Sequence, residues 1–226
     1  VLGFLLFDAN GLSKHIGLPG LLRSDSMSHA ITRKSSGWGP MSLSAYDLSA
    51  GLFVRGLTNL KMQLTKAEAH VAATGGGEGE LLGAQLASEG PVRDLSSPVP
   101  TDLHGYTLAA QIHWAAQGAE LAIARLLGAP QTPAPNDAKS FAELYQRLDA
   151  TIVYLREIAP SDLEAGLART VVIEHRGVSM SPSGSQFLVA YAIPHFYYHL
   201  STAYGILRNQ GVPLTMGDFL GNWAMN

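Results

Sequence analysis

The sequence predicts an all-α protein, a four-helix bundle with a small β-hairpin insertion before the last helix. Three observations lead there. Four long stretches repeat apolar residues at helical spacing, and Ser, Gly and Pro signals punctuate their ends. Helices of roughly 20–27 residues pack on one another more readily than they cover a sheet. Finally, 226 residues, 46% of them apolar, suffice for one sizeable core.

Residues 1–40 stand apart. Lys14, His15, Arg23, Arg33 and Lys34 are scattered among Gly and Ser with no sustained period. They are expected to be a poorly structured N-terminal extension or an upstream segment, with Met41 opening the bundle domain, taken as 41–223. An organelle transit segment is the alternative, against which Asp8 and Asp25 weigh.

From Met41 the pattern becomes helical. Ser44-Ala45-Tyr46-Asp47 has the form of a capping box. Leu48, Leu52, Val54, Leu57, Leu60, Leu64 and Ala67 follow at helical spacing until Thr74-Gly75-Gly76-Gly77 stops the helix. Leu81 to Ala87 reads as a short helical piece, and Gly90-Pro91 to Pro100 as a loop. A second long helix is predicted over Leu103 to Leu127, with Gly128 as its C-cap and Pro130 beyond. Ser140-Phe141-Ala142-Glu143 opens the third, whose stripe of Phe141, Leu144, Leu148, Ile152 and Leu155 runs to about Ile158. Arg169 to His175 and Val178 to Met180 flank Arg176-Gly177 as a hairpin. The fourth helix starts near Ser183 or Ser185 and ends at Asn209, before Gly211 and Pro213. Pro194 inside it is expected to kink the helix or mark a new start.

Composition narrows the chemistry. A net charge of −3 with only 15% charged residues argues against a nucleic-acid binder. No apolar run approaches the roughly 18 residues of a membrane span. With no cysteine, disulfides, thiolate metal sites and a cysteine nucleophile are excluded, and a reducing cytoplasmic setting is the natural expectation.

His195 and His199 are the most informative pair. One helical turn apart, both imidazoles leave the same face and can converge on one ion. His113, on the second helix, is the candidate third ligand. Three neutral imidazoles suit a divalent ion such as zinc or nickel and leave a position open for water or substrate. Glu120 and Tyr191 are weak catalytic candidates, one to accept a proton and one to donate a hydrogen bond, with Gln117 able to orient a ligand. Each has a plainer explanation, as a solvated charge or a core ring. Arg55 and Asn59, a turn apart on the first helix, can reach an anionic group, although an Arg at a bundle edge commonly just snorkels.

MSLSAYDLSAGLFVRGLTNLKMQL at Met41 to Leu64, IPHFYYHLSTAYGILRNQGVPL at Ile193 to Leu214 and the closing MGDFLG at Met216 to Gly221 resemble an uncharacterised bacterial and fungal domain-of-unknown-function family. That family is related to the DinB/YfiT-like superfamily of helical bundles. The resemblance covers about residues 41–221. It implies up-down-down-up connections, a possible homodimer, and a metal site of one His from the second helix (the position of His113) with a His-x-x-x-His pair from the last (His195 and His199). It further implies a metal-dependent hydrolase or a thiol-dependent transferase or isomerase acting on a small molecule. Two alternatives stand beside this: a metal-free bundle whose aromatics, Tyr191, Phe196, Tyr197 and Tyr198, line a pocket for a small apolar ligand, and a dimeric structural protein.

Overall fold

The computed structural model describes residues 43–86, 106–175 and 178–221. The expected extension over residues 1–40, the loop over 90–100, His104 and the hairpin turn at Arg176-Gly177 lie outside them.

Ser44 and Asp47 do form a reciprocal pair: Asp47 Oδ2 accepts from the Ser44 backbone and hydroxyl at 3.0 and 2.7 Å. The pair closes a separate turn, however, and helix α1 begins only at Ala50, running to Thr74. Leu48, expected on the apolar stripe, falls in that turn and is exposed. Gly75 ends α1 at φ 71°, a left-handed conformation that a Cβ disfavours. The short helix α2, Glu78–Gly83, starts earlier than predicted. Its Ala84 carbonyl accepts from Leu108 N at 2.9 Å, at the start of α3.

Helix α3 spans Leu108–Leu127, capped by the Thr107 side chain at one end and by left-handed Gly128 at the other. It is buried over most of its circumference, which makes it the centre of the molecule. Helix α4, Phe141–Arg156, is capped by Ser140, and all five residues of its predicted stripe are buried. Glu143 departs from the capping box by accepting from Lys139 N at 2.6 Å. Helix α5, Pro160–Ala168, was not anticipated, although Pro160 at its first turn is a known start signal.

Strands β1 (Ile173–His175) and β2 (Val178–Met180) pair antiparallel, Ile173 opposite Met180, confirming the hairpin. Ser183 and Gln186 then make a full capping box for α6, Gly184–Phe187. A π-helical turn over Leu188–Ala192 joins α6 to α7, Ile193–Asn209, with α-helical dihedrals at both junctions. The break expected at Pro194 therefore takes the form of a widened turn just upstream. Pro194 falls in the first turn of α7, directly after the π turn.

Helix directions follow from residue pairs. Lys61 meets Asp149 and Glu68 meets Tyr145, so α1 and α4 are antiparallel. Gln111 meets His199 and Arg125 meets Phe187, so α3 and α7 with its leading segment are antiparallel. Glu120 meets Arg147 and Thr151, while His113 lies beside Glu143 and Leu144, so α3 and α4 are parallel. The result is the up-down-down-up bundle. Parallel neighbours need a return strand, and the irregular connection over 129–139 supplies it. Gln117 Oε1 pins that strand to α3 by accepting from Ala134 N at 2.5 Å. The core is one cluster centred on Phe53, Leu57, Leu60, Ile112, Ile123, Leu148, Phe196 and Leu200. Each such large side chain contributes about 1.5–3 kcal/mol on burial. Among the described residues no helix is long and apolar enough to cross a membrane.

Helix α8, Met216–Leu220, closes the chain against α1. Arg55, Asn59 and Gln63, one turn apart on α1, donate to the carbonyls of Leu220, Phe219 and Asp218, each at 3.2 Å. These side chains satisfy the orphan carbonyls of a short helix. Arg55 and Asn59, considered above for an anionic substrate, thus have a structural use.

Candidate functional site

The seam between α3 and α7 holds His195 and His199. Their Nε2 atoms lie 3.3 Å apart. His199 is buried and its Nδ1 lies 2.7 Å from Gln111 Oε1. An amide oxygen only accepts, so His199 carries its proton on Nδ1 and turns a lone pair on Nε2 toward His195. Trp114 stacks beside the His199 ring, with centroids 6.5 Å apart. His195 packs edge-on against His199 and face-on against Tyr191, with centroids 4.5 and 5.3 Å away.

Room for the His195 ring comes from Gly118. A Cβ there would lie 3.0 Å from His195 Nδ1. Phe187, Tyr191, His195 and His199, each four residues from the last, form a ladder of stacked or edge-packed rings along one face of the rod. The π turn falls within that ladder.

Both imidazoles of the pair are held neutral. Burial pushes His199 down to about 3, and the neighbouring His195 and His113 rings add to the effect. Burial also lowers His195, with the Arg125 charge acting in the same direction. Neutral imidazole is the form that ligates metals.

His113 is near enough to act on His199 electrostatically, but among the described residues it is not disposed with the pair as a metal-holding group. It is buried, but lines a separate groove of about 410 Å³ beside Asp137, Glu143 and Arg147, on the α4 side of α3. Burial lowers its pKa, the Arg147 charge lowers it further, and Glu120 and Asp137 pull the other way. Among the described residues no group of three or more His, Asp or Glu side chains is disposed to hold a metal ion. The expected three-histidine cluster is thus not assembled: the face of α3 that carries His113 turns toward α4, while Gln111, Trp114 and Gly118 face α7.

Glu120 is likewise engaged elsewhere. Its carboxylate accepts from Arg147 and Thr151, both at 2.7 Å. Gln117 is committed to Ala134. Tyr191 does stand next to the pair, half-exposed and stacked on His195. Gln111 and Trp114 escaped the sequence reading, although both lie in the same short run as His113.

The donor chemistry can be tested against a zinc- or nickel-type ion. Two nitrogens about 2.0–2.1 Å from one tetrahedral ion lie about 3.3 Å apart. The His195–His199 separation matches that spacing, and Gln111 occupies the supporting place that fixes a ligand's tautomer. Two protein positions fit; the third that was expected from His113 is missing.

Comparisons with known proteins agree with the bundle. A crystal structure of a DinB family member protein from Shewanella denitrificans superimposes with a TM-score of 0.66 at 29% sequence identity, covering 80% of this chain and 94% of that one. No curated protein matches the chain. Residues 45–220 match the model for a domain of unknown function, DUF1993, and the chain belongs to that family, a relative of the DinB-like bundles.

Proposed function

We propose that this chain is a metal-binding helical bundle in which His195 and His199 hold a divalent transition ion such as zinc or nickel. The observation that carries the proposal is the 3.3 Å separation of two neutral imidazole nitrogens, one of them oriented by Gln111. When bound through two nitrogens, such an ion supplies Lewis acidity to a water or substrate in its open positions, the chemistry of metal-dependent hydrolases and thiol-dependent transferases. The chain's own residues do the rest. Gln111 holds the His199 ring in one tautomer, Gly118 admits the His195 ring, Tyr191 covers a face of His195, and Trp114 stacks beside His199.

The same distance supports a second reading, a metal-free site. There His195 Nε2–H donates to the His199 Nε2 lone pair, and the pair serves as a rigid wall for a small ligand. Calorimetry and thermal melting of untagged, chelator-stripped protein with zinc and with nickel separate the two. A bound ion stabilises by mass action, about 2.7 kcal/mol at 100 times its Kd. The effect should vanish in His195→Ala and in His199→Gln. If neither ion shifts the melting of the wild-type protein, the metal proposal fails and the metal-free wall remains.

A further inference from the structure

Next to the histidine pair on the same seam lies a cleft of about 270 Å³, lined by Trp114, Leu121, Arg125, Phe187, Tyr191 and His195. Its walls are chiefly apolar, with the rings of Trp114, Phe187 and Tyr191 among them. The Arg125 guanidinium lies over the Phe187 ring, 5.8 Å from its centroid. Arg125 forms no ion pair with a carboxylate among the described residues.

The cleft therefore offers apolar and aromatic walls and one cation without an ion-pair partner among the described residues. The complementary molecule has an apolar or aromatic body and one anionic, acceptor-only group. A carboxylate matches a single guanidinium in charge and in its planar fork geometry. A phosphate dianion would keep an unbalanced charge against apolar walls, since Arg125 is the one guanidinium or ammonium group of the lining. The volume is at the small end for ligand sites, which restricts the body to about one ring. We infer that the Trp114–Arg125 cleft is a binding site for a small aromatic or apolar carboxylate. The inference goes beyond the metal proposal and does not depend on an ion at the histidine pair.

The test uses phenylacetate as the probe, with its neutral analogue phenylacetamide, on the full chain in excess chelator. Binding is followed by calorimetry and by protein-observed NMR. Phenylacetate should bind at least tenfold more tightly than phenylacetamide. Arg125→Gln should abolish that preference while leaving the weak amide binding, and Trp114→Ala, which removes a ring from the lining, should weaken both probes several-fold. Leu121→Trp, which fills the cleft from its wall, should block both probes. Melting curves identify any variant that fails to fold, and the wild-type preference still decides the matter in that event. Equal affinity for the two probes, absence of phenylacetate binding, or an Arg125→Gln protein that retains the preference would overturn the inference. Because chelator is present throughout, failure here leaves the zinc and nickel result untouched.

Discussion

Acidification of the metal-free protein should destabilise it through His199 in a way that one substitution removes. The ring is only 3% exposed, and the folded protein holds its pKa at about 3 against an ordinary 6.5. Desolvation is the main cause, since a charged imidazolium has no water around it in this seam. The folded value lies below the unfolded one, so between the two the unfolded chain binds the extra proton. The contribution is therefore fully present above about pH 6.5 and is lost progressively as the pH falls toward 3. At about pH 5, some 1.5 pH units below the unfolded value, the loss is about 2 kcal/mol, at 1.36 kcal/mol per unit. His113 and His195 are lowered too and add to the total in the same direction. Urea unfolding at about pH 8 and pH 5, followed by far-UV circular dichroism in chelator, measures the sum. The same pair of curves on His199→Gln subtracts every other group. Wild type should lose about 2 kcal/mol more than the variant across that interval. If the two proteins lose the same amount, His199 is not held in a dry neutral state, and the electrostatic description of the seam is wrong.

Further outcomes follow from close packing. Gly118→Ala should leave overall stability near wild type, because a helix-propensity gain of up to about 1 kcal/mol offsets mild crowding; but its Cβ meets His195 Nδ1 at 3.0 Å, so zinc-induced stabilisation should shrink, and an undiminished zinc shift would count against His195 as a ligand. Gly184→Ala should be severe, on the order of 3 kcal/mol or more, since its Cβ would press on the Gly166 backbone carbonyl, which no rotamer can move aside; chemical denaturation measures it, and a loss under about 1 kcal/mol would mean that the α5–α6 junction yields easily. Asn59→Ala should cost about 1–2 kcal/mol by freeing the Phe219 carbonyl, with amide exchange rising first in α8, and uniform protection across α8 would contradict the clamp.

Local chemistry made much of this molecule legible from its sequence. Gly75 and Gly128 stop their helices in the left-handed conformation that glycine alone adopts freely, and Ser140 caps α4 as its position foretold. The juxtaposition of His195 and His199 needed nothing beyond one helical turn, and it holds at 3.3 Å. The misses have a common origin in contacts between elements distant along the chain. Arg55 and Asn59 looked free until α8, some 160 residues later, laid its carbonyls on them.

His113 marks the boundary most clearly. Helical geometry fixes that it lies about 100° round α3 from Trp114, whatever the fold. An amphipathic helix would have disclosed which side faces its partner, but α3 is rich in Ala and buried nearly all round, so its sequence has no single inner face. Order along the chain thus determined the long helices, the glycine stops of α1 and α3, the Ser140 cap and the histidine pair. Packing of α3 between two neighbours, α4 and α7, decided that His113 would turn from that pair and that Gln111, Trp114 and Arg125 would flank it.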